Sequence, residues 1–153
     1  MLEINYFKSL VESFNSLLQN SDLKITGINL SEDKWSLKEI IGHLIDSASN
    51  NHQRFVRLQF GTLRDFPAYD GEEWIRIQGY NKMDWELLIK LWHNYNMALL
   101  NVIENIDERA LSNEWIGADI KISLEDLIID YYRHLDLHIK HFTERQSELE
   151  NLQ

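Results

Sequence analysis

An all-α four-helix bundle is the fold class that this sequence predicts. Three observations lead there. Only six glycines and one proline punctuate 153 residues, too few for a chain of many short strands and turns. Apolar residues recur at spacings of three and four over four separate stretches, each about 18–25 residues long. Helix-start signals precede three of those stretches, at Ser36, Asp84 and Ser123.

The first helix is expected from about Glu3 to Asn20, with Phe7, Leu10, Val11, Phe14, Leu17 and Leu18 on one face. A connector over 21–34 follows. Ser36-Leu37-Lys38-Glu39 reads as a capping box, in which the serine hydroxyl takes an early backbone N–H and the glutamate reaches back. The second helix then continues through Ile40, Ile41, Leu44, Ala48, Asn51 and Phe55 to about Phe60. Residues 61–83 form a long connection around Phe66-Pro67-Ala68-Tyr69-Asp70, with a short helix starting at Asp70 or Gly71 and passing through Trp74 and Ile77. Asp84 caps a third helix, about Trp85 to Ile106. Residues 107–122 hold a short turn and an extended pair, Glu114–Ile116 with Ile120–Ile122, around Gly117. Ser123-Leu124-Glu125-Asp126 resembles a second capping box, with Asp where Glu is preferred. The fourth helix runs to about Glu144, before an acidic tail. The connection between helices 2 and 3 is long enough to travel the length of the bundle, which predicts an up-down-down-up order.

Composition narrows the function classes. The length suits a single domain over residues 1–153. There is no cysteine, so no disulfide, thiolate nucleophile, Cys-zinc site or iron–sulfur cluster. The net charge is −10, which argues against nucleic-acid binding and against anionic membrane surfaces. No stretch is long and apolar enough to span a bilayer. No targeting segment is visible at the N-terminus, which gives a cytoplasmic protein as the expectation.

The chemistry concentrates on histidine. Three of the six, His134, His138 and His141, fall on the last helix. His134 and His138 differ by about 40° in helical projection and stack one turn apart, so two imidazoles can grip one ion. His141 lies near the same face, about two turns below His134; it can pair with His138 and stand behind the ligands, but cannot easily share a metal with both. The natural third ligand is His43, on the flank of the second helix's apolar stripe. Below it Ser47, Asn50 and Arg54 continue a polar stripe that can line a pocket between helices, with Arg54 as a substrate clamp. Tyr69 and Trp74 stand in the long connection, where they can close the pocket's mouth. Asp46 is a candidate hydrogen-bond partner behind His43, although its own face points away from it. Such an imidazole set suits zinc, nickel, copper or iron(II), and the ion can lower the pKa of a bound water or take up a thiol. Histidine pairs at this spacing also arise on helices that bind nothing. His52 and His93 read as ordinary surface or partly buried residues.

A family resemblance joins these residues. The block Trp35-Ser36-Leu37-Lys38-Glu39-Ile40-Ile41-Gly42-His43-Leu44-Ile45-Asp46-Ser47 resembles the second-helix signature of the DinB-like proteins, closest to the YfiT branch of metal-dependent hydrolases. Asn50-Asn51-His52-Gln53-Arg54-Phe55, Pro67-Ala68-Tyr69-Asp70-Gly71-Glu72-Glu73-Trp74 and the run from Tyr132 to His141 resemble its later blocks, in the same order. The resemblance implies an up-down-down-up bundle, often a homodimer, and a divalent nickel or zinc ion on His43, His134 and His138. Many relatives have further histidines beside the last-helix pair; here Leu135 and Leu137 flank it. Some relatives resemble transferases that use bacillithiol, mycothiol or glutathione, and others resemble hydrolases, so fold and triad leave the reaction open.

Two metal-binding functions compete, beside a third reading as a structural dimer with no metal. One is a metal-dependent enzyme acting on a small molecule, either as a hydrolase or by activating a low-molecular-weight thiol cosubstrate. The other is a metal-binding or stress-response module whose ion only staples helices 2 and 4. Without cysteine, any thiolate must arrive with a cosubstrate. An acidic chain must also concentrate its few arginines if its substrate is an anion.

Overall fold

The computed structural model describes residues 2–152. Four long helices form the bundle: α1 (Ile4–Gln19), α2 (Leu37–Leu58), α4 (Trp85–Glu104) and α5 (Leu124–Glu150). Between α2 and α4 lie a two-residue strand β1 (Leu63–Arg64), a short helix α3 (Gly71–Gln78) and a 3-10 turn (Tyr80–Lys82). A second 3-10 turn (Glu108–Ala110) and the strands β2 (Glu114–Ile116) and β3 (Lys121–Ser123) connect α4 to α5.

Local sequence sets most of these boundaries. Ser36 closes the expected capping box, since its hydroxyl accepts Glu39 N–H at 3.2 Å and its own N–H donates to Glu39 Oε2 at 2.8 Å. Asp70 and Asp84 cap α3 and α4 through their side chains. Ser123 accepts Asp126 N–H at 3.1 Å, but the shorter Asp126 side chain meets the Ser123 hydroxyl (2.7 Å) instead of reaching the backbone. Gly79 ends α3 with φ +62°, a left-handed cap that suits glycine.

End contacts define the helix directions. The N-terminus of α2 meets the start of α4, where Ser36 Oγ lies 2.5 Å from Asn81 Oδ1 and Lys38 Nζ donates to Met83 O at 2.6 Å. Trp85 Nε1, opening α4, donates to Leu18 O near the end of α1 (3.3 Å). Phe7 stacks on Tyr132 at 4.0 Å, and Phe14 meets Phe142 at 5.3 Å. So α1 and α5 run one way, α2 and α4 the other. Phe14, Trp92 and Phe142 are all buried at the centre of the core.

Three features differ from the sequence reading. First, α5 continues past Glu144 to Glu150. Phe142, Arg145 and Leu149 keep one face buried, and that burial outweighs the acidic composition of the segment. Second, β3 begins one residue later than expected, and pairs antiparallel with β2 as Glu114↔Ser123, Trp115↔Ile122 and Ile116↔Lys121. Third, β1 adds to the same sheet in parallel, with Leu63↔Trp115 and Arg64↔Ile116. Two residues are too few to show a periodicity, so β1 exists only because the chain is brought alongside β2. Asn113 Nδ2, donating to Leu58 O at 2.6 Å, ties this sheet to the end of α2.

Candidate metal centre

The first half of α2 is enclosed on nearly every side. Leu37, Ile40, Ile41, Leu44, Ile45 and Ala48 are buried, and so are the polar residues His43, Asp46 and Ser47. The covering element on the outer side is the 61–83 connection. Its Tyr80 ring lies directly over Gly42, where a Cβ would enter the ring. Gly71 packs on His43 less tightly: a Cβ there would stand 3.1–3.2 Å from the imidazole. Two glycines therefore let the connection lie flat on α2 at the histidine.

His43 faces α5. Its Nε2 lies 3.2 Å from His134 Nε2, and its ring centroid is 4.6 Å from that of His138. His134 and His138, one turn apart, are 4.5 Å apart between rings. One nitrogen from each of the three falls within 4.8 Å of the others. A tetrahedral ion with metal–nitrogen bonds of about 2.1 Å separates its ligand nitrogens by roughly 3.4 Å, so the cluster fits a divalent ion with little movement. Burial, reinforced by the neighbouring imidazoles, lowers the pKa of His43 to about 4 and that of His138 to about 3. Burial lowers His134 too, with Asp130 opposing it. The three rings are therefore neutral at pH 7, the state in which imidazole ligates. The Nδ1 atoms of His43 and His138 are buried and have no hydrogen-bond partner.

The surroundings rearrange the sequence expectations. Asp46 does not stand behind His43. Its Oδ1 accepts from the Tyr80 hydroxyl at 2.6 Å and from Gln78 Nε2, across to the α3 side. Burial raises its pKa, and those two bonds oppose the rise. His141 lies beside His138 (5.8 Å between rings) and outside the three-nitrogen cluster. Leu135 is buried in the core, whereas Leu137 is 58% exposed. Tyr69 reaches the site, with its ring 5.1 Å from that of Trp74 and bordering Gly71, which abuts His43. Burial raises the Tyr69 pKa. Trp74 stays at the rim, beside Ile77 and Gln78. Asn50 turns its amide back to Asp46 O at 2.9 Å. Arg54 is buried against Trp115. His52 and His93 stand apart, bonded to Tyr95 (3.1 Å) and Glu12 (3.3 Å).

The sequence assigns no site role to one residue at the centre, Trp35. The Trp35 ring lies over the cluster, 5.0 Å from His43, 6.3 Å from His138 and 6.4 Å from His141. It is held by its Nε1, which donates to Glu72 at 3.1 Å, and by its carbonyl, which accepts from Arg145. Both partners are far away in sequence, so only its position immediately before the capping box hinted at it.

Comparison with known proteins follows this geometry. No protein-family model matches the chain. A protein of Oceanobacillus iheyensis, provisionally named a metal-dependent hydrolase, is 25% identical over 137 residues, covering 89% of this chain and 76% of that protein. YfiT from Bacillus subtilis, assigned provisionally as a metal-dependent hydrolase with an unusual four-helix bundle topology, superposes with a TM-score of 0.82 at 17% identity, over 97% of this chain and 88% of its own. A mycothiol-dependent maleylpyruvate isomerase superposes with a TM-score of 0.68 at 18% identity, over 90% of this chain but 60% of that one. Among the described residues no helix is long and apolar enough to cross a membrane.

Proposed function

The chain shares the YfiT fold, and on that premise we propose that it belongs to the DinB/YfiT-like superfamily and is a metal-dependent enzyme acting on a small molecule. His43, His134 and His138 would hold one divalent ion, nickel or zinc. The observation that carries this reading is the convergence of three neutral imidazoles from two helices within 4.8 Å. When bound, the ion would supply Lewis acidity toward a water or a thiol at its open position.

The rest of the work falls to the chain itself. Trp35 and Trp74 would restrict water at the two edges of the site. Tyr69 and Ser47 would present hydroxyls to the substrate, and Asn50 and Arg54 would line the pocket further along α2. Asp46, tied to Tyr80 and Gln78, would hold the 61–83 connection in place. Hydrolysis and thiol transfer both fit this arrangement. The isomerase that shares the fold is named for its thiol, which supports testing thiols. A cytoplasmic homodimer is part of the same reading.

One observation favours a second reading, in which the ion only staples α2 to α5: the Trp35 ring already covers His43 and His138. A single series of experiments separates the two. Nickel- and zinc-loaded protein is assayed on activated esters and on electrophiles, with and without thiol, while water exchange at the ion is followed by relaxation. Turnover that vanishes on chelation supports the enzyme. A large stability gain with no exchangeable ligand and no turnover supports the staple. Failure to bind either ion at near-stoichiometric level overturns both.

A further inference from the structure

Two arginines are buried, each 5% exposed. Arg145 pairs with Glu148 at 2.9 Å. Arg54 has no carboxylate beside it among the described residues. Its Nη1 donates to Asn51 Oδ1 at 3.2 Å, its Nη2 makes only a long contact with Pro67 O at 3.5 Å, and its buried Nε has no partner. Trp115 supports its face, with the guanidinium carbon 4.1 Å from the ring centroid. Cation–π support offsets only part of the cost of burying a charge, and buried charges are otherwise paired.

The unused donors form a particular edge. Nε–H and the adjacent Nη2–H point side by side, the geometry that takes a planar carboxylate in two parallel bonds. Tyr69 links this edge to the histidines. Its hydroxyl stands near Ser47 and Arg54, and its ring borders Gly71, which itself abuts His43. His43 and Arg54 are eleven positions apart on one helix, about 16 Å along its axis at 1.5 Å per residue. The Arg54 side chain shortens that span to the order of 10 Å.

We propose that Arg54 is the receptor for the carboxylate of an elongated small-molecule substrate, whose other end reaches the three histidines past Ser47 and Tyr69. The carboxylate end follows from Arg54 alone; the far end rests on the metal reading above. A chain of net charge −10 would thereby attract an anion with one sequestered cation and not with its surface.

Cobalt-loaded protein tests this with ω-mercaptoalkanoic acids and ω-mercaptoalcohols of matched length, binding being read from the thiolate-to-cobalt absorption. Acids with roughly six to eight methylenes, about the span estimated from helix geometry, are expected to bind at least tenfold tighter than the matched alcohols. Shorter acids should show no such gap. Arg54→Gln should remove the gap; Arg54→Lys should shrink it. Equal affinity of acids and alcohols at every length, or a gap that survives Arg54→Gln, overturns the proposal. If no thiol gives the absorption, the metal reading fails and a second readout decides the carboxylate site. Octanoate is titrated into ¹⁵N-labelled protein, and the Arg54 Nε–H resonance, assigned with Arg54→Lys, should shift downfield. An Nε–H resonance unmoved by octanoate overturns the proposal even if Arg54→Gln fails to fold.

Discussion

His43 and His134 stand 91 residues apart in sequence, yet their Nε2 atoms face each other across 3.2 Å. Among the described residues no carboxylate hydrogen-bonds either ring, and burial lowers the pKa of both, with Asp130 opposing it at His134. Two facing nitrogens need a shared proton or a shared ion, and His138 adds a third lone pair.

If that shared partner is a metal, His43→Ala and His134→Ala should each lose metal retention by at least about a hundredfold, since even losing a partner behind a ligand costs roughly 10–100-fold. His52→Ala and His93→Ala should retain it, because those rings bond Tyr95 and Glu12 elsewhere. Equilibrium titration with nickel and zinc measures this, and stoichiometric retention by His43→Ala would sink the ligand assignment.

Acid should destabilise the chelator-treated chain in a defined window. Unfolded histidines take up protons below about 6.5, while folded His43 and His138 stay neutral down to about 4 and about 3. Between those values the unfolded state binds more protons, so stability falls as pH falls through 6.5 and the loss is complete only below the folded values. Urea midpoints from pH 7 to 4.5 should drop steeply, and the drop should flatten in a His43→Asn/His138→Asn double variant. Identical slopes in the two proteins would contradict the depressed pKa values.

Gly42→Ala should cost about 2–3 kcal/mol, the range for overpacking. The new methyl enters the Tyr80 ring, and moving that ring breaks its 2.6 Å bond to Asp46. Denaturant midpoints check this; a change within about 0.5 kcal/mol, as on an open surface, would show that the connection is not seated on α2.

Leu149→Ala should cost about 2 kcal/mol, the low end for a buried leucine. Its side chain is 1% exposed, in the stretch where composition alone suggests a tail. The same substitution should loosen Arg145 from Trp35, so the Trp35 indole N–H resonance, assigned with Trp35→Phe, should shift. A neutral effect on both readouts would mean that the last turns of α5 contribute nothing.

Much of this architecture can be read along the chain. The apolar spacing of α1, α2 and α4, the Ser36–Glu39 box and the Asp84 cap are local properties, and they place those helices within a residue or two. The pair His134 and His138 is visible for the same reason, since a helix puts positions four apart on one face. The end of α5 is not, because Arg145 and Leu149 are helical through burial against distant partners. Nor is β1, which pairs with residues some fifty positions later.

The division follows from the range of the forces. Periodicity, capping and the lack of cysteine act within a few residues, and they suffice for an all-α bundle that can offer a metal imidazoles and carboxylates but no thiolate. Which imidazoles meet, that Asp46 turns to Tyr80 instead of His43, that Trp35 covers the cluster, and that Arg54 is enclosed by Trp115 without a counter-ion depend on packing between segments far apart in sequence. Those contacts form only when α2 is wrapped by α4, α5 and the 61–83 connection, and burial is what gives the histidines and Arg54 their chemistry.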